Sequence, residues 1–353
     1  MVDYLKVEAP DPFGQLIHGG EIAKIDPDGE IEWLTRCKRD VRGSWSGSMR
    51  VRNLMADETV GAGLGLQLLK RSGLELDGNP AKFLNGHNLF GTDRPGELVT
   101  RTVERVGEAL FPGFSLGEYD PSSAVISRID ITGSWVLDRA EDVLPFLDAM
   151  RETVFCPYRG KGVRASNDPG TLYYGYSEQG KRAKDWQLKL YSKGREISKR
   201  PLPPQAYTIP GLLDEVNRTV RVELTLRTAE LKRLGLRRVG DWKPETAGEV
   251  WRSYVDRLDF TEVSVCNSQD FAGHLKPRHL DALASWKAGN DLRNGRSHAS
   301  FYRLRKELRE LAGVDIANPV PKSNVVPLRR VVVATPALRP QWADQLTEAL
   351  RAA

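Results

Sequence analysis

Ala124-Val-Ile-Ser-Arg-Ile-Asp-Ile-Thr132 is the stretch on which the fold turns. It is apolar and rich in β-branched residues, which predicts a central, buried strand. Successive side chains on a strand point to opposite faces, so Arg128, Asp130 and Thr132 share one face and Ile129 and Ile131 the other. An Asp within such a strand costs free energy unless it is paired or bound to a metal. Asp130 therefore either pairs with an arginine such as Arg128 and orders the sheet, or offers a hard oxygen ligand to Mg²⁺ or Mn²⁺.

The same logic extends outward. Thr219-Val-Arg-Val-Glu-Leu-Thr-Leu226 predicts another strand, with Arg221, Glu223, Thr225 and Arg227 on one face. That face reads either as an Arg/Glu ladder or as a further acidic ligand beside an arginine clamp on phosphate. Thr171-Leu-Tyr-Tyr-Gly-Tyr176 and Trp186-Gln-Leu-Lys-Leu-Tyr191 predict two strands joined by a basic connection, preceded by a glycine-rich loop over 160–170. Residues 1–75 read as short strands and turns, among them 30–34 and 48–52. Gly61 to Gly65 lacks the Lys-Ser/Thr ending of a phosphate loop. Helical spacing predicts helices over 96–110, 139–153, 246–258, 278–288 and 297–311, with Ser297 capping the last. Strands with helices first and helices later predict an α+β core of residues 1–240, followed by a mainly helical unit, 241–353.

Composition agrees with a large globular chain. The 353 residues are 40% hydrophobic and 28% charged, which suggests roughly two domains of about 150 residues. Mean hydropathy is −0.44, and charge or glycine breaks every apolar stretch before about 18 residues, so no membrane span is expected. Residues 1–6 lack the basic head and apolar run of a signal peptide. Cys37, Cys156 and Cys266 form no CxxC pair, which argues against a zinc ribbon or disulfide scaffold and suits a reducing compartment. The net charge of +5 hides an asymmetry. Residues 1–180 carry 20 Lys and Arg against 27 Asp and Glu, whereas residues 181–353 carry 32 against 20. A polyanion engaged by the second half is the functional reading, and solvated helix faces the structural one.

Three more motifs bear chemistry. Asn85-Gly-His-Asn-Leu-Phe-Gly91 places His87 in a turn, as a turn cap, a metal ligand or a phosphate donor. Tyr191-Ser-Lys-Gly-Arg-Glu196 closes a strand, with Tyr191 and Lys193 on one face if the strand continues. A phenol is a weak nucleophile at neutral pH, and a nearby cation or a metal-polarised phosphate would favour its attack. Glu196 either completes a metal site or pairs with Arg195. The helix 297–311 carries Arg303, Arg305, Lys306 and Arg309, suited to phosphates or base edges.

Taken in order, these segments resemble the replication initiation endonucleases of filamentous bacteriophages, the gene II/X protein family. The likeness includes residues 80–92, 126–132, 191–196, 220–223 and 231–236, and returns in 324–328 and 339–342. The resemblance implies a divergent HUH-type nicking core at about 76–238 around a central antiparallel sheet, followed by a helix-turn-helix-like unit. It implies rolling-circle initiation: one strand is nicked, the 5′ phosphate becomes linked to tyrosine, and the displaced circle is later resealed. Tyr191 matches the nucleophile, with Lys193 beside it. Asp130 and Thr132 occupy the i and i+2 positions where HUH enzymes carry two histidines. Asp130, Glu196 and His87, with Glu223 in reserve, are the expected ligands for Mg²⁺ or Mn²⁺. Arg128, Arg221, Arg303, Arg305, Lys306 and Arg309 are the expected DNA contacts. Expected partners are double-stranded phage or plasmid origin DNA, its displaced single strand, and host helicase and polymerase, in the bacterial cytoplasm. Tyr173, Tyr174 and Tyr176 are candidates for a second nucleophile, for base stacking or for sheet packing. The alternatives are a plasmid mobilisation relaxase and a DNA-binding repressor with a decayed site.

Overall fold

Strands dominate the first two thirds of the chain. In order they are β1 (Val2–Ala9), the β2–β3 hairpin (Glu21–Ile25 and Ile31–Arg36), β4 (Arg39–Arg42), β5 (Ser48–Ala56), β6 (Lys70–Gly78) and β7 (Val125–Val136). Then come β8 and β9 (Phe155–Cys156 and Gly160–Lys161), β10 (Val163–Ala165), β11 (Asp168–Tyr174), β12 (Trp186–Ser192) and β13 (Thr219–Arg227). The computed structural model describes residues 1–56, 70–165, 168–175, 183–258, 263–265, 276–287, 290–293, 296–312, 315–317, 330–332, 335–336 and 339–351. Among the described residues, one antiparallel sheet runs β10-β11-β12-β13-β7-β1-β6-β5-β4, and Thr335–Pro336 adds a tenth strand against β7.

Pairing makes this sheet two-faced. Glu223 opposes Thr132, Thr225 opposes Asp130, and Arg227 opposes Arg128. Directly opposed residues share a face, so polar groups collect on one side. The face continues through Gln187, Lys189 and Tyr191, which oppose Thr225, Glu223 and Arg221. On the other side Ile129, Ile131, Leu188, Leu190, Leu224 and Leu226 are buried in one large core.

Ten α-helices lie among the described residues: α1 (Pro80–Asn85), α2 (Pro95–Leu110), α3 (Val143–Thr153), α4 (Lys193–Lys199), α5 (Leu212–Asn217), α6 (Thr228–Leu234), α7 (Thr246–Val255), α8 (Pro277–Lys287), α9 (His298–Ala312) and α10 (Ala343–Arg351). Apolar side chains of α2, α3, α6 and α7 join the large core. A Cβ on Gly133 of β7 would stand 2.4 Å from the Trp251 ring of α7, and Trp251 Nε1 donates to Val222 O at 3.1 Å. Gly133→Val is therefore expected to lower stability by about 1–3 kcal/mol, read as a lower urea midpoint at unchanged slope.

Several expectations are corrected. The segment 160–170 is not a loop: β9, β10 and the start of β11 run through its described part. A Cβ on Gly162 would meet Leu172 at 2.7 Å, so that glycine marks close approach of backbone to side chain. A nicking core beginning near 76 leaves out β1, yet β1 pairs with both β7 and β6 near the middle of the sheet. The unit 241–353 carries α7 to α10, and short strands add to them. Val263–Val265 pairs with Arg330–Val332, Thr335–Pro336 joins the main sheet, and Trp342 and Leu346 pack with Ile197, Leu212 and Val216. Paired residues this few carry no periodicity to read. The stretches Gly61–Gly65 and 324–328, with Cys266 and Tyr176, lie outside the described residues.

Candidate active site on the polar face of the sheet

Tyr191 lies one residue before the end of β12 on the polar face, opposite Arg221 on β13 and Thr171 on β11. Its ring lies under the Lys189 ammonium, 4.2 Å from Nζ to the ring centre, and the residue is only 5% exposed. Burial pushes the phenol well above its ordinary pKa, and the Glu196 carboxylate adds to the rise while Arg221 opposes it. Tyr191 is thus a protonated phenol at neutral pH.

The strand does not reach Lys193. Ser192 caps a helix instead, its hydroxyl accepting from Arg195 N at 3.3 Å, and Lys193 is the first residue of α4. Lys193 is buried. Its ammonium donates to Asn88 Oδ1 at 2.8 Å and pairs with Glu196. Burial, then the Arg221 guanidinium, pulls it down to about 8. Burial disfavours ionised Glu196, yet Lys193 and Lys82 outweigh it and hold the carboxyl at about 2. Lys82 completes that cluster at 3.1 Å.

Asn88 joins the cluster to the sheet. Its side-chain amide donates to both Asp3 oxygens, at 3.0 and 3.2 Å, and its main-chain carbonyl accepts from Arg221 Nη1 at 2.7 Å. Arg221 Nη2 donates to Leu89 O at 2.9 Å. The turn after α1 and the start of α4 therefore roof the polar face beside Tyr191. Asp3 gets there through a register shift in β1 between Val2 and Tyr4; a bulge of this kind re-aims a side chain.

The acidic groups lie in two places. Asp130 accepts from Arg128 Nε at 2.9 Å and from Nη2 at 2.6 Å. Its neighbours are Glu223 and Asp3, and burial raises the Asp130 carboxyl despite Arg128. Burial also lifts Glu223, to about 7; Lys189, 3.6 Å away, opposes the rise, and the Asp130 and Asp3 carboxylates add to it. Glu196, by contrast, lines a cleft of about 480 Å³ with His87, Lys193 and Lys82. His87 Nδ1 accepts from Leu89 N at 3.3 Å, which leaves Nε2 carrying the proton as a donor. Burial, Lys193 and Arg221 hold its pKa at about 4, so it is neutral near pH 7. Asp130, Glu196 and His87 thus do not converge, and among the described residues no group of three or more His, Cys, Asp or Glu is arranged to hold a metal. Mg²⁺ needs only one or two carboxylates when phosphates and water complete its shell. The buried carboxylates of Asp130 and Glu223 are hard oxygen donors already paired with Arg128 and Lys189, so an ion bound there would take the place of those cations.

The remaining candidates sort by burial. Tyr174 is fully buried, its hydroxyl donating to Met150 O at 3.1 Å on the apolar side. Tyr173 opposes Lys189 on the polar face. Arg128 and Arg221 are committed to the bonds above. On α9, Arg303, Lys306 and Arg309 are exposed, and Arg305 pairs with Asp315 at 2.5 Å. Ser297 Oγ accepts from Ser300 N at 3.3 Å, capping that helix. Trp286, Phe301, Leu304 and Leu308 fasten α9 to α8.

No sequence motif assigns a role to Asp3, Asn88 or Lys189. The alternation in Val-Asp-Tyr-Leu-Lys-Val-Glu-Ala, residues 2–9, signals the strand, but no pattern announces the bulge that turns Asp3.

Known proteins share both parts of this chain. Residues 1–245 match the N-terminal family, and residues 281–346 the C-terminal family, of the phage replication-associated protein encoded by gene II. The chain is 30% identical over 339 residues to the replication-associated protein of this type from Enterobacteria phage I2-2, covering 94% of this chain and 93% of that protein.

Proposed function

The chain belongs to the phage replication-associated protein family, the gene II family of filamentous phages, and from that premise we propose that it initiates rolling-circle replication by nicking one strand of the origin through Tyr191. The observation that carries this reading is that Tyr191 and Arg221 share one face of the sheet with Glu223 and Asp130, while Lys193 opens α4 directly after β12.

In the proposed reaction the Tyr191 oxygen attacks the scissile phosphorus, and its proton passes to the neutral form of Lys193. A phosphorus–tyrosine bond forms and the bond to the 3′ oxygen breaks. That oxygen takes back a proton to become the 3′ hydroxyl that primes synthesis. Asn88 holds the Lys193 amine, and Arg221 lends positive charge where the phosphate gathers negative charge. A divalent ion, held by Asp130 and Glu223 with Asp3 nearby, would supply Lewis-acid polarisation of a phosphate oxygen. The phosphotyrosine bond conserves the energy of the broken diester, so resealing by a 3′ hydroxyl needs no ATP. Because Tyr191 is only 5% exposed, the incoming strand has to lift part of the roof made by α4 and the turn after α1.

Duplex origin DNA, its displaced strand, and host helicase and polymerase are the partners this role requires. No helix among the described residues is long and apolar enough to cross a membrane. The exposed cations of α9 suit the DNA backbone. Removing Arg303 and Arg309 together is expected to flatten the dependence of log K on log salt by about 1 for each phosphate left without its cation. A titration series of duplex binding checks this. The function itself is tested by incubating the protein with Mg²⁺ and supercoiled DNA carrying its own origin: open circles bearing attached protein support it. Supercoiled DNA left intact with every divalent metal tried would refute it.

A further inference from the structure

Between β4 and β5 the chain makes a tight turn at Gly43-Ser-Trp-Ser-Gly47, seated directly on α1. Ser44 N donates to Phe83 O and Ser44 Oγ to Leu84 O, both at 2.8 Å, and Gly47 N closes the turn on Ser44 O at 2.9 Å. A Cβ on Gly43 would stand 2.2 Å from Phe83 O, and one on Gly47 2.3 Å from Lys82 O. Both glycines are therefore required by contact with the helix backbone, and the turn is held rigid.

At its tip sits Trp45, with φ of 52°. Among the described residues only Trp45 and Tyr158 combine a side chain with positive φ. That conformation is strained for a bulky residue, and glycine would avoid the strain. The strain holds a large apolar ring in the open: Trp45 is 56% exposed, with Nε1 tethered to Pro201 O at 3.3 Å. Its position explains more than its exposure does. Trp45 lines the 480 Å³ cleft that holds Lys193, Glu196 and His87, together with Lys82 and Arg200. It also lines the adjoining 740 Å³ groove, where Arg101 and Arg339 lie.

We propose that Trp45 is a stacking platform for an unpaired base of the strand that enters the Lys193 cleft. The proposal rests on the nicking function above and names the state of the substrate at this point: single-stranded DNA. A rigid, exposed indole flanked by cations fits a nucleotide whose base face is free and whose phosphates lie to either side. A base within a duplex has no free face to offer.

The test measures binding of the full-length protein to a labelled oligothymidine of about 16 nucleotides and to a duplex of equal length. Trp45→Ala is expected to weaken single-strand binding at least about 10-fold and leave duplex binding unchanged, with Trp45→Phe restoring most of the loss. Equal single-strand affinity in Trp45→Ala and wild type would overturn the proposal. So would equal losses on both DNAs, or failure of the wild type to bind the single strand. Attachment of wild-type protein to cleaved origin DNA, read on a denaturing gel, keeps the two claims apart. Attachment with unchanged Trp45→Ala binding removes only the stacking role, whereas no attachment removes the nicking reading.

Discussion

Tyr191→Phe is expected to lose nicking and covalent attachment to DNA together, by more than about 10⁴-fold, because the only atom removed is the proposed attacking oxygen. The substitution is close to isosteric. The ring keeps its place under Lys189, so stability should shift by no more than about 1 kcal/mol, and duplex binding through α9 should persist. A variant that binds and folds as wild type yet neither relaxes supercoiled DNA nor retains protein on it matches the account. Equal nicking by Tyr191→Phe would move the nucleophile elsewhere. Tyr173 would be next in line, because it shares the polar face, whereas Tyr174 points into the core and bonds Met150.

The second large effect belongs to Lys193. As the acceptor of the phenol proton it must be neutral, and burial beside Arg221 sets its pKa at about 8. Nicking should therefore rise with pH through about 8 and then level off, since the neutral fraction grows as pH passes the pKa. Lys193→Gln should slow nicking by about 10²–10⁴-fold and abolish that rise. Glu196 keeps Lys82 as partner, which limits the damage to folding. A rate–pH profile that keeps its rise near 8 in Lys193→Gln would assign the proton to another group. Glu223, at about 7, is the nearest alternative, and its rise would fall about one pH unit lower.

Much of this architecture is legible in the sequence, and the exceptions have physical causes. β7, β12 and β13 announce themselves because each is apolar on one face and polar on the other, and that alternation alone puts Arg128 with Asp130, and Arg221 with Glu223, on a common side. The pairing Arg128–Asp130, one of two readings of that motif, is present. Lys193 reads as part of a continuing strand, but Ser192 caps a helix there, so Lys193 opens α4 and its ammonium meets Asn88 and Glu196. Asp3 escapes because a bulge, not a period, aims it. Trp45 escapes because a single exposed aromatic between glycines reads as an ordinary turn; its strained φ and its two clefts exist only in three dimensions. The metal set is the least legible part: Glu196 is an expected ligand through the family resemblance, and two lysines claim it.

The central claim is that one particular phenol becomes bonded to the 5′ phosphate. Cleaving origin DNA with wild-type protein, digesting the adduct with protease and nuclease, and sequencing the nucleotide-bearing peptide by mass spectrometry reads that bond directly. The account predicts a single modified peptide with the nucleotide on Tyr191. A nucleotide on any other residue, or cleaved DNA with a free 5′ phosphate and no modified peptide, would contradict it.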